Sequence, residues 1–144
     1  MTADAPPVPP TLSRHAIWLA VARAAFGAPS VAAPEACLRL LGLSCGRRPN
    51  PARYFVGFFG VRELALAALL LGARRDLRKL RALVGLGALA DMGDSALVLG
   101  HLLRARRIEP AALTLLGTGL SGSAASVAVW LEVQRAEGEN VTAS

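Results

Sequence analysis

Long apolar runs, separated by short basic or Pro/Gly-rich stretches, set the layout of the chain, and their length points to helices rather than strands. Runs over 54–73 and 83–103 are each about 20 residues long, the length a helix needs to cross hydrocarbon. An earlier run over 15–31 predicts a first span, capped by Thr11 or Ser13, with Trp18 near the interface and Pro29 bending or ending it. A last run over 111–131 predicts a fourth, opened by Pro110, where a missing N–H costs least. Residues 34–43 read as a short amphipathic helix, with Leu38, Leu41 and Cys45 on one side and Arg39 on the other. The expected fold is all-α: a four-helix transmembrane bundle with a short amphipathic interfacial helix between spans one and two.

Breakers and charges divide the chain further. Residues 1–12 form a Pro-rich tail expected to be disordered, 13–132 the four-span membrane domain, and 133–144 a polar, frayed C-terminal tail. The basic hairpin Arg74-Arg75-Asp76-Leu77-Arg78-Lys79-Leu80-Arg81 joins spans two and three, which must run antiparallel as neighbours. A polar loop over 42–51 and a second basic turn at Arg104, Arg106, Arg107 and Glu109 complete the punctuation.

Composition agrees with a membrane protein. Hydrophobic residues make up 53% of the 144 and charged residues 18%, so a water-soluble globule would expose too much apolar surface. The net charge of +6 sits in clusters between apolar runs with few aromatics beside them. That pattern suits loops on anionic lipid and argues against nucleic acid as a partner. Basic residues are nearly balanced between the two sides, and the density of the Arg74 to Arg81 cluster places both termini on the cytoplasmic side of the cell membrane. Cys37 and Cys45 match no redox or zinc spacing and read as free thiols. With no zinc, P-loop, dinucleotide or Ser-His-Asp pattern, neither metal nor cofactor is expected.

The spans carry charges at their middles. Arg62 and Glu63 interrupt the second, Asp91, Asp94 and Ser95 the third, and Arg23 lies too deep in the first to reach water easily. Each such charge costs roughly 2.5–3.5 kcal/mol on insertion scales, which marks a functional site. Arg62 lies 12 residues before Arg74 and Asp94 lies 13 after Arg81, so an Arg62 pair with Asp94 or Asp91 is within reach. Asp91, Asp94, Val98 and His101 share one helix stripe, with Ser95 at its edge. With Arg23 facing inward, two cations meet three carboxyls, and one of Glu63, Asp91 and Asp94 is expected to hold a proton at neutral pH.

Glu63, Asp91 and Asp94 are therefore the candidate catalytic acids. Arg23, Arg62, Ser95 and His101 are the candidate ligand-binding residues. The chemistry this suits is protonation-driven isomerisation or cyclisation of a small lipophilic substrate. Two other readings stay open: a small proton-coupled exporter, and a non-catalytic membrane subunit whose ion pairs only fix helix register. Small residues suggest where helices touch. Gly57 and Gly60 clear one face of span two, and Gly117 with Ser121, Gly119 with Ser123, and Gly122 with Ser126 recur at the spacing of close helix contacts. A homodimer through Gly117, Ser121, Gly119 and Ser123 is the expected assembly, with membrane lipid as the other partner.

Three segments carry a resemblance: Pro34-Glu35-Ala36-Cys37-Leu38-Arg39-Leu40-Leu41-Gly42-Leu43, Gly60-Val61-Arg62-Glu63-Leu64-Ala65-Leu66 and Asp91-Met92-Gly93-Asp94-Ser95-Ala96-Leu97-Val98. In them the chain resembles a family of small four-helix membrane proteins known only as a domain of unknown function. That family's pattern is a Pro-led amphipathic piece ending in Gly, a Gly-x-Arg-Asp/Glu in the second span and an Asp-rich third span. The resemblance covers about residues 15–131. It implies four membrane helices and a polar centre at Arg62, Glu63, Asp91 and Asp94, and it brings no activity or cofactor. Family members often have Asp at the position of Glu63, and the fourth span is their most variable part.

Overall fold

A computed structural model of the chain describes residues 8–42, 52–105 and 110–142. These form only helices: α1 (Pro10–Ala32), α2 (Pro34–Leu40), α3 (Ala52–Ala73), α4 (Leu77–Ala105) and α5 (Pro110–Thr142). Cys45, most of the expected loop over 42–51, and Arg106, Arg107 and Glu109 of the second basic turn lie outside the described residues.

The helix boundaries differ from the expected ones for identifiable reasons. Neither Thr11 nor Ser13 caps α1; the helix opens at Pro10, whose fixed φ and missing N–H suit a first position, and the Pro9 carbonyl accepts the Ser13 N–H at 3.0 Å. Pro29 lies inside α1, which continues to Ala32 before the chain turns by 111° into α2. On α2 Leu38 is buried, while Arg39 and Leu40 face outward.

The basic hairpin shrinks to Arg74, Arg75 and Asp76, because its second half already forms the first turn of α4. Cationic residues are unfavourable beside the positive end of a helix dipole. Asp76 offsets them by accepting the Lys79 backbone N–H at 3.1 Å and pairing with the Lys79 ammonium at 3.0 Å. At the other end of the chain, α5 runs past residue 131 as a helix. His15 meets Glu132 at 2.7 Å and Arg81 meets Glu137 at 2.8 Å, contacts that hold the polar extension against α1 and α4.

Among the described residues, α3, α4 and α5 are each long and apolar enough to cross a membrane, and α1 with α2 passes the same test as a bent pair, so three helices, or four segments with that pair, could span one. Although α3 and α4 share a short turn, α3 packs chiefly along α1, and α4 along α5. Glycines explain the first pairing. A Cβ on Gly60 would sit 2.7 Å from the Gly27 carbonyl oxygen, and one on Gly27 would sit 2.9 Å from that of Gly60. Here the two backbones touch, whereas a Cβ on Gly57 would meet nothing within 4 Å, so that glycine is not needed for the crossing.

The interior changes character along the bundle. On the side of the α3–α4 turn a continuous apolar core joins Leu12 and Leu19 of α1, Leu70 of α3, Leu80 and Val84 of α4, and Val133 of α5. All of these are buried at 8% exposure or less. Further along the same inward faces stand Arg23, Glu63, Asp91 and Ser126, and beyond them Gly27, Ser30, Gly60, Ser95 and Ser123.

Candidate functional site

At the level where the inward faces change, one guanidinium joins all four long helices. Arg23 of α1 donates from Nη1 to Glu63 Oε2 of α3 at 2.7 Å and from Nη2 to Asp91 Oδ2 of α4 at 2.7 Å. The same Nη2 reaches Ser126 Oγ of α5 at 3.1 Å, and Nη1 lies 3.4 Å from Asp91 Oδ1. Missing side chains make the room. A Cβ on Gly87 would lie 2.7 Å from Arg23 Nη2, and one on Gly122 would lie 3.0 Å from Asp91 Oδ2.

Arg62 extends the network outward. Its Nη2 and Nε donate to Glu63 Oε1 at 2.7 and 3.1 Å, and its Nη1 donates to Asp94 Oδ2 at 2.6 Å. Its Nη2 also approaches Asp91 Oδ1 at 3.5 Å, and its Cζ stacks 5.0 Å from the centre of the Phe59 ring. Glu63 thus bridges two guanidiniums, one at each oxygen. Two cations face three carboxyls, which leaves one formal negative charge in excess.

Burial divides the cluster into two parts. The side chains of Arg23, Glu63 and Asp91 are 5%, 5% and 8% exposed, whereas Arg62 and Asp94 are 30% and 42% exposed. The inner part is closed on itself, with charge-assisted bonds satisfying most of its polar atoms. The outer pair joins α3 to α4, helices that pack far less on each other than on α1 and α5.

The remaining expected residues fall in different places. Ser95 is buried beside Asp91, but its hydroxyl donates to the Asp91 backbone carbonyl at 2.8 Å rather than to the carboxylate. His101 is exposed and about 15 Å further along α4 than Asp91, so the shared stripe does not bring it to the cluster. Gly119 packs on Ser95 and Ser123 is buried, while Gly117 and Ser121 are exposed on the outside of the bundle. Two of the four residues expected at a homodimer face are thus turned into their own chain.

Ser126, Gly87 and Gly122 belong to the site without having been singled out for it. The small-residue spacing marks Gly122 and Ser126 as a contact face, but nothing local says that the contact is an arginine from α1. Two buried side-chain atoms, Arg23 Nε and Ser123 Oγ, have no hydrogen-bond partner among the described residues. Among those residues, too, no group of three or more His, Cys, Asp or Glu is placed to hold a metal ion. No family model, curated protein or solved structure matches the chain.

Proposed function

We propose that the chain is a four-span integral protein of the cell membrane, with α1 and α2 as its bent first span, and that it belongs with the small four-helix membrane family it resembles. Arg23 supports counting α1 as a span, because it meets its partners from α3, α4 and α5 near the middles of those helices. Arg75, Arg78 and Lys79 are exposed at the α3–α4 turn, which favours that end, and with it both termini, on the cytoplasmic side.

The proposed function is to bind a small lipophilic molecule at the outer pair and act on it by proton transfer. The observation that carries this reading is the step in exposure within one continuous network, from a sealed Arg23–Glu63–Asp91 centre to the half-open Arg62–Asp94 pair. The centre holds the four helices in register. At the outer pair, Asp94 in its protonated form donates a proton to an apolar double bond, and Arg62 stabilises the carboxylate left behind. Isomerisation or cyclisation, in which the proton is finally returned, fits such a site. A second reading has its own support: the near-complete pairing of the inner groups is what a purely structural ion-pair lock requires.

Mass spectrometry of small molecules that copurify in mild detergent separates the two. The proposal expects a defined lipophile with the wild type and none with Asp94→Asn, while both variants stay folded. Bulk lipid alone in both would leave the structural lock as the account of the cluster. The outward Gly117 and Ser121 remain the proposed contact for a second copy.

A further inference from the structure

We infer that water and protons reach the charge cluster from one side of the membrane only, the side on which α2 lies, and that Ser123 lines the entry. The inference rests on the membrane-spanning reading above and adds a direction to it.

The inward stripe of α5 reads Gly119 and Ser123 on one side of the cluster, Gly122 and Ser126 at its level, and Val129 and Val133 on the other. The other long helices change at the same level. In α1, Leu12 and Leu19 give way to Gly27 and Ser30 past Arg23; in α3, Leu70 gives way to Gly60 past Glu63; in α4, Leu80 and Val84 give way to Ser95 past Asp91. Toward the α3–α4 turn, then, every helix contributes aliphatic bulk to one continuous plug. A dry aliphatic layer of that kind bars both water and charge.

Next to the cluster on the α2 side, the inward faces of the long helices carry small and hydroxyl groups instead, with Leu38 of α2 and Ala111 and Ala112 of α5 also buried at that end. Glycines bring α1 onto α3 and α4 onto α5 within each helix pair. Ser30 and Ser95 turn their hydroxyls back to the carbonyls of Phe26 and Asp91. Ser123 does not. At 7% exposure its Oγ has no partner among the described residues, one helical turn from the Ser126 hydroxyl that holds Arg23. A buried hydroxyl in that position calls for a water molecule, which would stand on the α2 side of the cluster.

Cysteine accessibility in reconstituted liposomes tests the inference. In a Cys37→Ser, Cys45→Ser background, Ser123→Cys and Val129→Cys probe the two sides of the cluster, and a small membrane-impermeant thiosulfonate is added from either face. A Cys45→Ser protein that keeps Cys37 on α2, and an Asp76→Cys variant of the cysteine-free background at the α3–α4 turn, identify the faces. Ser123→Cys should react from the Cys37 face faster than Val129→Cys by a factor of about ten or more. No reaction from either face, or reaction from the Asp76→Cys face, would overturn the inference. Amide exchange on the unmodified protein gives an independent check: residues 117–124 should exchange faster than 128–136, and equal or reversed rates would count against one-sided access. Neither readout depends on a bound lipophile, so this inference and the proposed function can fail separately.

Discussion

Replacing Arg23 with methionine removes the one side chain that bonds to all three other long helices, and the geometry allows the cost to be worked out. Deleting one partner of a buried ion pair costs about 3–5 kcal/mol, because the charge left behind is neither solvated nor paired. Glu63 is partly protected, since Arg62 remains 2.7 Å away, whereas the nearest remaining guanidinium to Asp91 is 3.5 Å away. Most of the loss therefore falls on Asp91. Lipid softens the penalty, because polar groups of an unfolded chain in the membrane also find partners and individual contacts there average about 0.6 kcal/mol. Taking both effects together, Arg23→Met should destabilise the bundle by about 2–4 kcal/mol. Unfolding by dodecyl sulfate in mixed micelles, followed in a Trp18→Phe background by the fluorescence of Trp130 at the edge of the apolar core, measures it. Adding Asp91→Asn removes the stranded carboxylate, and the double variant should regain more than half of the loss. An Arg23→Met variant within about 0.5 kcal/mol of wild type, or a double variant at the sum of the two single losses, would refute the reasoning.

Other predictions concern single positions. Gly60→Ala places a methyl 2.7 Å from the Gly27 carbonyl and should cost about 1–3 kcal/mol in the same unfolding assay, whereas Gly57→Ala meets nothing within 4 Å and should be neutral or slightly stabilising. The Lys79 backbone N–H, together with its ammonium, holds the Asp76 carboxyl below its usual range. A lowered pKa in the folded state contributes stability that is fully present above the unfolded value and is lost as pH falls through the folded one. The Lys79 and Leu80 amide resonances should therefore shift together below about pH 4, and Asp76→Ala should abolish that acid transition.

The parts of this architecture legible in the sequence are those set by local pattern. Run length and composition mark α3, α4 and α5 as apolar helices, and the depth of Arg23 within its run turns it inward, where the structure buries it. Counting from the hairpin brings Arg62 to Asp94, and the two meet at 2.6 Å. Long-range packing is less visible. The hairpin makes α3 and α4 antiparallel neighbours, but Gly27 against Gly60 and Gly119 against Ser95 pack each of them more closely on another helix. The stripe that contains His101 is real, yet the cluster takes up only the part of it near Asp91, because Arg23 and Arg62 reach no further. A polar end on the last apolar run suggests fraying. Its acids Glu132 and Glu137 instead find His15 and Arg81 on other helices, partners that no local window contains.

The proposed function requires the cluster to lie deep in the bilayer with α1 crossing it. Nitroxide labels at Val21 of α1 and Val61 of α3, outward positions 49% and 56% exposed that flank Arg23 and Arg62, report their depth in liposomes through collisions with oxygen and a water-soluble nickel chelate. The account predicts that both labels lie within about 5 Å, one helical turn, of the bilayer centre and collide mainly with oxygen. A Val21 label about 15 Å from the centre, at the edge of the hydrocarbon and open to the nickel chelate, would show that α1 does not span the membrane and would contradict the account.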